Sequence, residues 1–245
     1  MATDIGPELY AQIKRIFEKK YKVSGLESLR QKIESGEAPF EEMDIYAMET
    51  GTLISEALQE VLVSDALPDR RLFYELAEET LGETLKDAHY LIADVTAEIE
   101  EEMLLSQGLG IKPIKPPVNQ SRIDGLLKIA SDATDFDTVA SSVLGEPVVN
   151  FALNTVDESV KQNAKFQTEA GLTVEVVRNY DDVGLRNRTQ PCAWCLAREG
   201  TWDYEDALAN GVFQRHEGCH CTITYTSRKG ERSRSTGKWS GFSLL

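Results

Sequence analysis

The chain has 245 residues, 41% of them hydrophobic, enough apolar material for one large folded unit or two small ones without covalent staples. A formal net charge of −15 and a pI near 4.7 exclude a general nucleic-acid coat, which would be basic. The charge is uneven: residues 1–183 carry 17 basic against 35 acidic side chains and residues 184–245 carry 9 against 6, so an acidic body precedes a mildly basic end.

Residues 4–35 predict helix. Ile5, Leu9, Ile13, Ile16 and Phe17 recur at helical spacing, Gly25 breaks the run, and Leu26, Leu29 and Ile33 carry a second short helix. Pro39 suits the first position of a third helix over 39–63, with Met43, Tyr46, Ala47, Thr50, Ile54, Ala57, Leu58 and Val61 as its buried stripe. Pro68 separates it from a fourth, through Leu72, Phe73, Leu76 and Leu81. A fifth opens at Glu83 or Thr84 and runs to about residue 107. On the fifth helix His89 lies on or beside the apolar stripe and reads as a packed core residue. Glu98, Glu100, Glu101 and Glu102 read as a solvated face rather than a cation site.

Residues 106–121 contain two glycines and three prolines and cannot continue a helix. They predict a semi-rigid linker, or an arm lying on another surface, between a helical region 1–105 and a second part over 122–226. Helices follow at 122–131, 136–144 and 147–170, the last closed by Gly171. The period then changes. Residues 172–180 are β-branched and predict a strand, Thr222–Tyr225 a returning one, and residues 227–245 a basic, Ser/Gly-rich flexible tail. The expected fold is mainly α: a helical body, then a small α+β C-terminal subdomain with a short β-hairpin.

All four cysteines and two of the three histidines fall within residues 192–221. Cys192 and Cys195 form C-x-x-C; His216, Cys219 and Cys221 form H-x-x-C-x-C. Two soft-ligand pairs separated by a hairpin-sized insert are how small structural Zn²⁺ sites are built. Five candidates compete for four places. An extended backbone after Gly218 would turn Cys219 and Cys221 to one face and His220 to the other, which makes His220 the weakest candidate. Disulfides are disfavoured by the awkward C-x-C spacing and by the lack of a secretory leader, which points to a reducing compartment. A redox C-x-x-C would need a βαβ context that is not seen. Pro191-Cys192-x-x-Cys195 is half of a deaminase signature, but no upstream H-x-E or C-x-E completes it. No apolar run is long enough to cross a bilayer, so no membrane partner is expected.

The run Gly171…Tyr180, then Thr189-Gln190-Pro191-Cys192-Ala193-Trp194-Cys195-Leu196-Ala197-Arg198-Glu199-Gly200, then Arg215-His216-Glu217-Gly218-Cys219-His220-Cys221-Thr222, resembles the C-terminal part of tailed-phage minor head proteins, the Mu F-like head-morphogenesis family. The resemblance spans residues 150–225, and H-x-x-C-x-C is its more specific half. Family members often carry Pro-Asn where this chain has Glu217-Gly218, and Arg where it has His220; residues 1–110 match no motif. The resemblance implies a non-enzymatic virion assembly protein, made in the host bacterial cytoplasm. It would meet the portal or major capsid protein, and packaged DNA through a tail offering Arg228, Lys229, Arg232, Arg234 and Lys238 with Trp239 and Phe242. Two alternatives remain: a zinc-scaffolded nuclease with His216 or His220 as base near Glu217, and a DNA-binding protein acting outside a particle.

Overall fold

The computed structural model describes residues 5–40, 42–180, 192–216 and 218–229. Its helices are α1 (Gly6–Val23), α2 (Leu26–Glu34), α3 (Glu42–Val61), α4 (Tyr74–Ala77), α5 (Glu83–Ser106), α6 (Gln120–Asp132), α7 (Phe136–Ser142) and α8 (Glu146–Glu169). A small C-terminal α+β unit follows: β1 (Leu172–Asn179), α9 (Ala193–Leu196), β2 (Gly200–Asp203), α10 (Tyr204–Ala209) and β3 (Thr222–Lys229). The mainly helical fold with a small C-terminal sheet is as the sequence implies.

The sheet has three strands in the order β2-β1-β3, all antiparallel. The expected β1–β3 hairpin pair is present, with Val176 opposite Tyr225; β2 on the other edge of β1 was not foreseen. Strand β3 runs to Lys229, past the predicted end at Tyr225, so Ser227–Lys229 are strand and not the start of a tail. The Ser227 N–H donates to Gln107 Oε1 at 3.1 Å, and Arg228 pairs with Glu175 at 3.0 Å.

Helix α3 packs most extensively on α8. Gly51 permits this. A Cβ there would stand 2.8 Å from the Ala152 side chain and 3.0 Å from the Val149 backbone, so the two helices approach more closely than any side chain at position 51 allows. The predicted stripe of α3 is buried throughout. Two corrections concern helix starts. Pro39 does not open α3; its carbonyl instead accepts the Glu42 N–H at 3.0 Å in the preceding turn. The fourth and fifth predicted helices are continuous, because α4 passes through a wide π-helical turn at Glu78–Gly82 directly into α5. Gly82 keeps helical angles there and packs against Leu127. Residues 64–72, predicted in part as helix, are short 3₁₀ turns and extended chain.

Both apolar cores take residues from either side of 106–121. One joins Leu9, Leu58 and Leu85 to Ile123, Leu127 and Phe151; the other joins Leu26, Tyr46 and Ile92 to Val156, Val176 and Tyr225. The Pro/Gly segment lies along the surface of α5 and α8. Ile114 donates its N–H to Asn163 Oδ1 at 2.7 Å, and its carbonyl accepts from Asn163 Nδ2 at 2.9 Å. The buried carbonyl of Pro116 meets His89 Nε2 at 2.9 Å, and His89 Nδ1 faces Thr155 Oγ1 at 3.3 Å. His89 is thus the packed core residue its stripe implies, 3% exposed.

Glu100 is not on a solvated face. It is fully buried, and its Oε2 accepts from Ser159 Oγ and Asn163 Nδ2, each at 2.9 Å, while Oε1 has no partner. Burial pushes its carboxyl up to about 8, with Ser159 pulling the other way. The native chain therefore keeps a proton here that the unfolded chain releases near pH 4.5, and it binds more protons than the unfolded chain between those values. The stability contributed by neutral Glu100 is full below pH 4.5 and is lost as pH rises through about 8. Glu100→Gln, neutral at every pH, should flatten the fall in urea midpoint across that interval; an unchanged slope would show that Glu100 does not carry it.

Candidate metal centre

Each half of the cysteine stretch is shaped by a local turn. Cys192 precedes α9, whose single turn is closed by the Leu196 N–H donating to the Cys192 carbonyl at 3.0 Å, so Cys195 comes round to the same side. The second half follows α10, beyond whose end Gly211, with φ of 65°, turns the chain. Gly218, with φ of 67°, turns the chain again, and the Cys219 N–H donates to the His216 carbonyl at 3.2 Å. A side chain would be strained at either glycine. Cys219 and Cys221 then face one way and lead into β3.

The donor atoms converge. Cys192 Sγ and Cys195 Sγ lie 3.2 and 3.0 Å from His216 Nε2, and Cys195 Sγ lies 3.8 Å from Cys219 Sγ. They form two overlapping groups that could hold a metal ion, Cys192–Cys195–His216 and Cys195–Cys219–Cys221, with ligand atoms within 4.8 Å of one another in each. Cys195 belongs to both. A Zn–S bond of about 2.3 Å makes the S···S edge of a tetrahedron about 3.8 Å, which matches the Cys195–Cys219 separation. All four cysteines are free thiols with no disulfide between them. His220 stands apart: it faces a cavity lined by Ser24, Glu49, Thr52 and Glu146 and joins neither group.

The thiols differ in proton affinity. The hydrogen bond from Cys221, followed by the charges of Arg215 and Arg178, draws the Cys219 thiol down to about 4 against its burial. Cys221, the donor in that bond and itself buried, is pushed up. Burial, then the Cys219 charge, pushes Cys195 up to about 11. The Cys195 backbone N–H lowers Cys192. One thiolate among protonated neighbours is the arrangement that a divalent ion completes by displacing protons.

Around the thiols lies a shell that sequence reasoning missed. Arg178, on β1, is fully buried and donates to the carbonyls of Val212 and Gln214 and to Cys219 Sγ at 3.3 Å. Trp194 lies beneath both Arg178 and Arg198, whose guanidinium carbons are 5.2 and 3.8 Å from its ring centre; its ring also meets His216 edge-on at 5.4 Å. Arg215, its side chain 4% exposed, donates Nε and Nη2 to the two oxygens of Asp157 at 2.6 and 2.8 Å. It also donates Nη2 to Asp44 at 2.5 Å and Nη1 to the Cys221 carbonyl. Asp44 Oδ2 accepts the Ile223 N–H at 3.2 Å. Burial raises both carboxyls, Asp44 to about 7, against the pull of Arg215. Arg178 carried one legible signal: it shares the inward parity of Val174 and Val176 on β1.

Of the suggested nucleic-acid contacts, Arg228 is exposed and paired with Glu175, and Lys229 ends β3. Arg232, Arg234, Lys238, Trp239 and Phe242 lie outside the described residues, as does Glu217. Among the described residues no helix is long and apolar enough to cross a membrane. No protein-family model, curated protein or solved structure matches this chain.

Breaking a buried ion pair costs ~3–5 kcal/mol, because the abandoned charge stays desolvated. Arg215→Met should lose stability of that order in urea unfolding, and Asp44→Asn combined with Asp157→Asn should recover part of the loss. Cys195→Ser should lower bound metal, measured by elemental mass spectrometry, more than any other single substitution in the cluster. His220→Ala should leave metal content unchanged.

Proposed function

We propose that this chain is a non-enzymatic structural or assembly protein of a tailed-phage head, with one structural Zn²⁺ bound by four of Cys192, Cys195, His216, Cys219 and Cys221. The observation that carries the reading is the closed, inward-facing Cys/His cluster between two paired strands, in the order strand, C-x-x-C, H-x-x-C-x-C, strand. Cys195, Cys219 and Cys221 are buried and Arg178 covers one sulfur, which suits a metal ringed by protein ligands rather than one holding a reactive water. The same order underlies the resemblance to the head-morphogenesis family.

In this reading the zinc ties the C-x-x-C turn to the segment that leads into β3. The acidic body meets the portal or major capsid protein, and the basic end, including Arg228 and Lys229, faces packaged DNA. The protein resides in the virion after synthesis in the host cytoplasm. A nuclease reading draws less support, since His216 Nε2 is directed at two thiols and would have to leave them to serve as a base.

Fractionation of phage particles and procapsids tests the role directly: the protein should co-sediment with them in few copies, and its absence from both would refute it. Native mass spectrometry should show one zinc per chain that a chelator removes. A plasmid-nicking assay with Mg²⁺ should give no activity beyond the His220→Ala control.

A further inference from the structure

Arg122, in the first turn of α6, is half-buried and has no side-chain hydrogen bond or ion pair among the described residues. The other sequestered arginines are all engaged: Arg30 with Glu98, Arg198 with the Trp194 carbonyl and ring, Arg178 and Arg215 with the groups around the thiols. In a chain with 41 acidic residues, a guanidinium withdrawn from water without a carboxylate is conspicuous. Burial lowers its proton affinity, with Asp157 opposing at longer range, yet an arginine stays charged at any working pH. A half-buried cation with no counter-charge in contact is costly, and an anion that enters beside it offsets that cost.

Arg122 faces a cavity of about 300 Å³ between α6, α8 and the 208–215 segment. The charges on its wall resolve simply. Glu158 is held by Lys161 at 3.2 and 3.5 Å, so those two cancel. Arg215 also borders the cavity, but its guanidinium is already committed to Asp157 and Asp44. Arg122 is the one charged side chain on this wall with no hydrogen-bonded or ion-paired partner among the described residues. Further donors stand on different walls: the Asn154 amide on α8 and the Gln214 amide on the loop. Leu208 and Phe213 form an apolar shelf beside them.

We infer that this cavity binds a phosphoryl group, seated on the Arg122 fork with Asn154 and Gln214 as further donors and the rest of the ligand on Leu208 and Phe213. Donors from three elements suit a tetrahedral oxyanion better than a planar carboxylate, which a single guanidinium satisfies in one plane. The phosphoryl group belongs either to a small phosphorylated molecule or to a nucleic-acid backbone. The site is separate from the thiol cluster, though Gln214 and Arg215 precede His216 directly, and the inference stands whether or not the chain is a head protein.

The test uses the full-length, metal-loaded chain, titrated calorimetrically with inorganic phosphate against chloride at matched ionic strength. Phosphate should bind the wild type and raise its melting temperature. Arg122→Met should weaken binding at least ten-fold with unchanged circular dichroism and metal content. Arg122→Lys, which keeps the charge but loses the fork, should weaken it less, and it serves with Asn154→Leu should Arg122→Met not fold. A short DNA duplex forms the second arm. Duplex binding that phosphate displaces and Arg122→Met weakens identifies a backbone phosphate; duplex binding indifferent to Arg122, beside intact phosphate binding, identifies a small phosphorylated ligand. No phosphate effect beyond chloride in the wild type, or equal affinity in wild type and Arg122→Met, overturns the inference.

Discussion

One guanidinium joins three distant parts of this chain. Arg215 lies on the segment between α10 and the thiols, Asp44 opens α3, and Asp157 sits midway along α8. Asp44 extends the link by accepting the Ile223 N–H, so the first turn of α3 also fixes where β3 begins. A buried ion pair gives little net stability compared with an apolar replacement, but it tolerates no other register. Its value here is positional: the thiol cluster has one place on the helical body, set by a planar fork that only one arrangement of two carboxylates satisfies.

The same triad shapes the electrostatics of the cluster. Two carboxylates around one guanidinium leave a net negative charge when both are ionised, close to Cys219. Arg178 opposes it from the sheet side. Arg215 and Arg178 favour the thiolate at Cys219, and that charge together with burial and its hydrogen bond keeps the protons on Cys195 and Cys221. A divalent cation changes that balance, so metal binding, thiol ionisation and docking of the sheet become one linked equilibrium. Trp194 and Arg178 act on the same side as the orienting groups commonly found around metal ligands.

Much of the fold was legible because long helices advertise their buried faces. Every residue of the predicted α3 stripe is buried, though Asp44, Gly51 and Ser55 join it; His89 sits in the core as its position implies, and the change of period at Leu172 marks the strand. What failed has particular causes. Glu100 reads as solvated in the sequence because it neighbours three other glutamates. Yet Ala93, Ala97 and Leu104 mark a second stripe, buried because α5 is enclosed by α8 as well as by α2 and α3. The start at Pro39 and the break before Glu83 followed local preference, which tertiary packing overrode. The five metal candidates were readable from spacing, since soft ligands are scarce and clustered. Their supporting residues were not, because Asp44 and Arg215 are partners across 171 positions and nothing local marks either.

The Pro/Gly segment holds to the body at few points. Asn163 grips both sides of the Ile114 residue as a neighbouring strand would, His89 meets the Pro116 carbonyl, and Leu109 is buried. Between Leu109 and Ile114, Gly110 and Lys112 are exposed. Chain length can therefore vary there without disturbing either core, whereas one residue added between Ile114 and Pro116 would force a choice between the two anchors. That stretch is the natural place to splice in a tag or a foreign loop, and the place where related chains can differ in length at least cost.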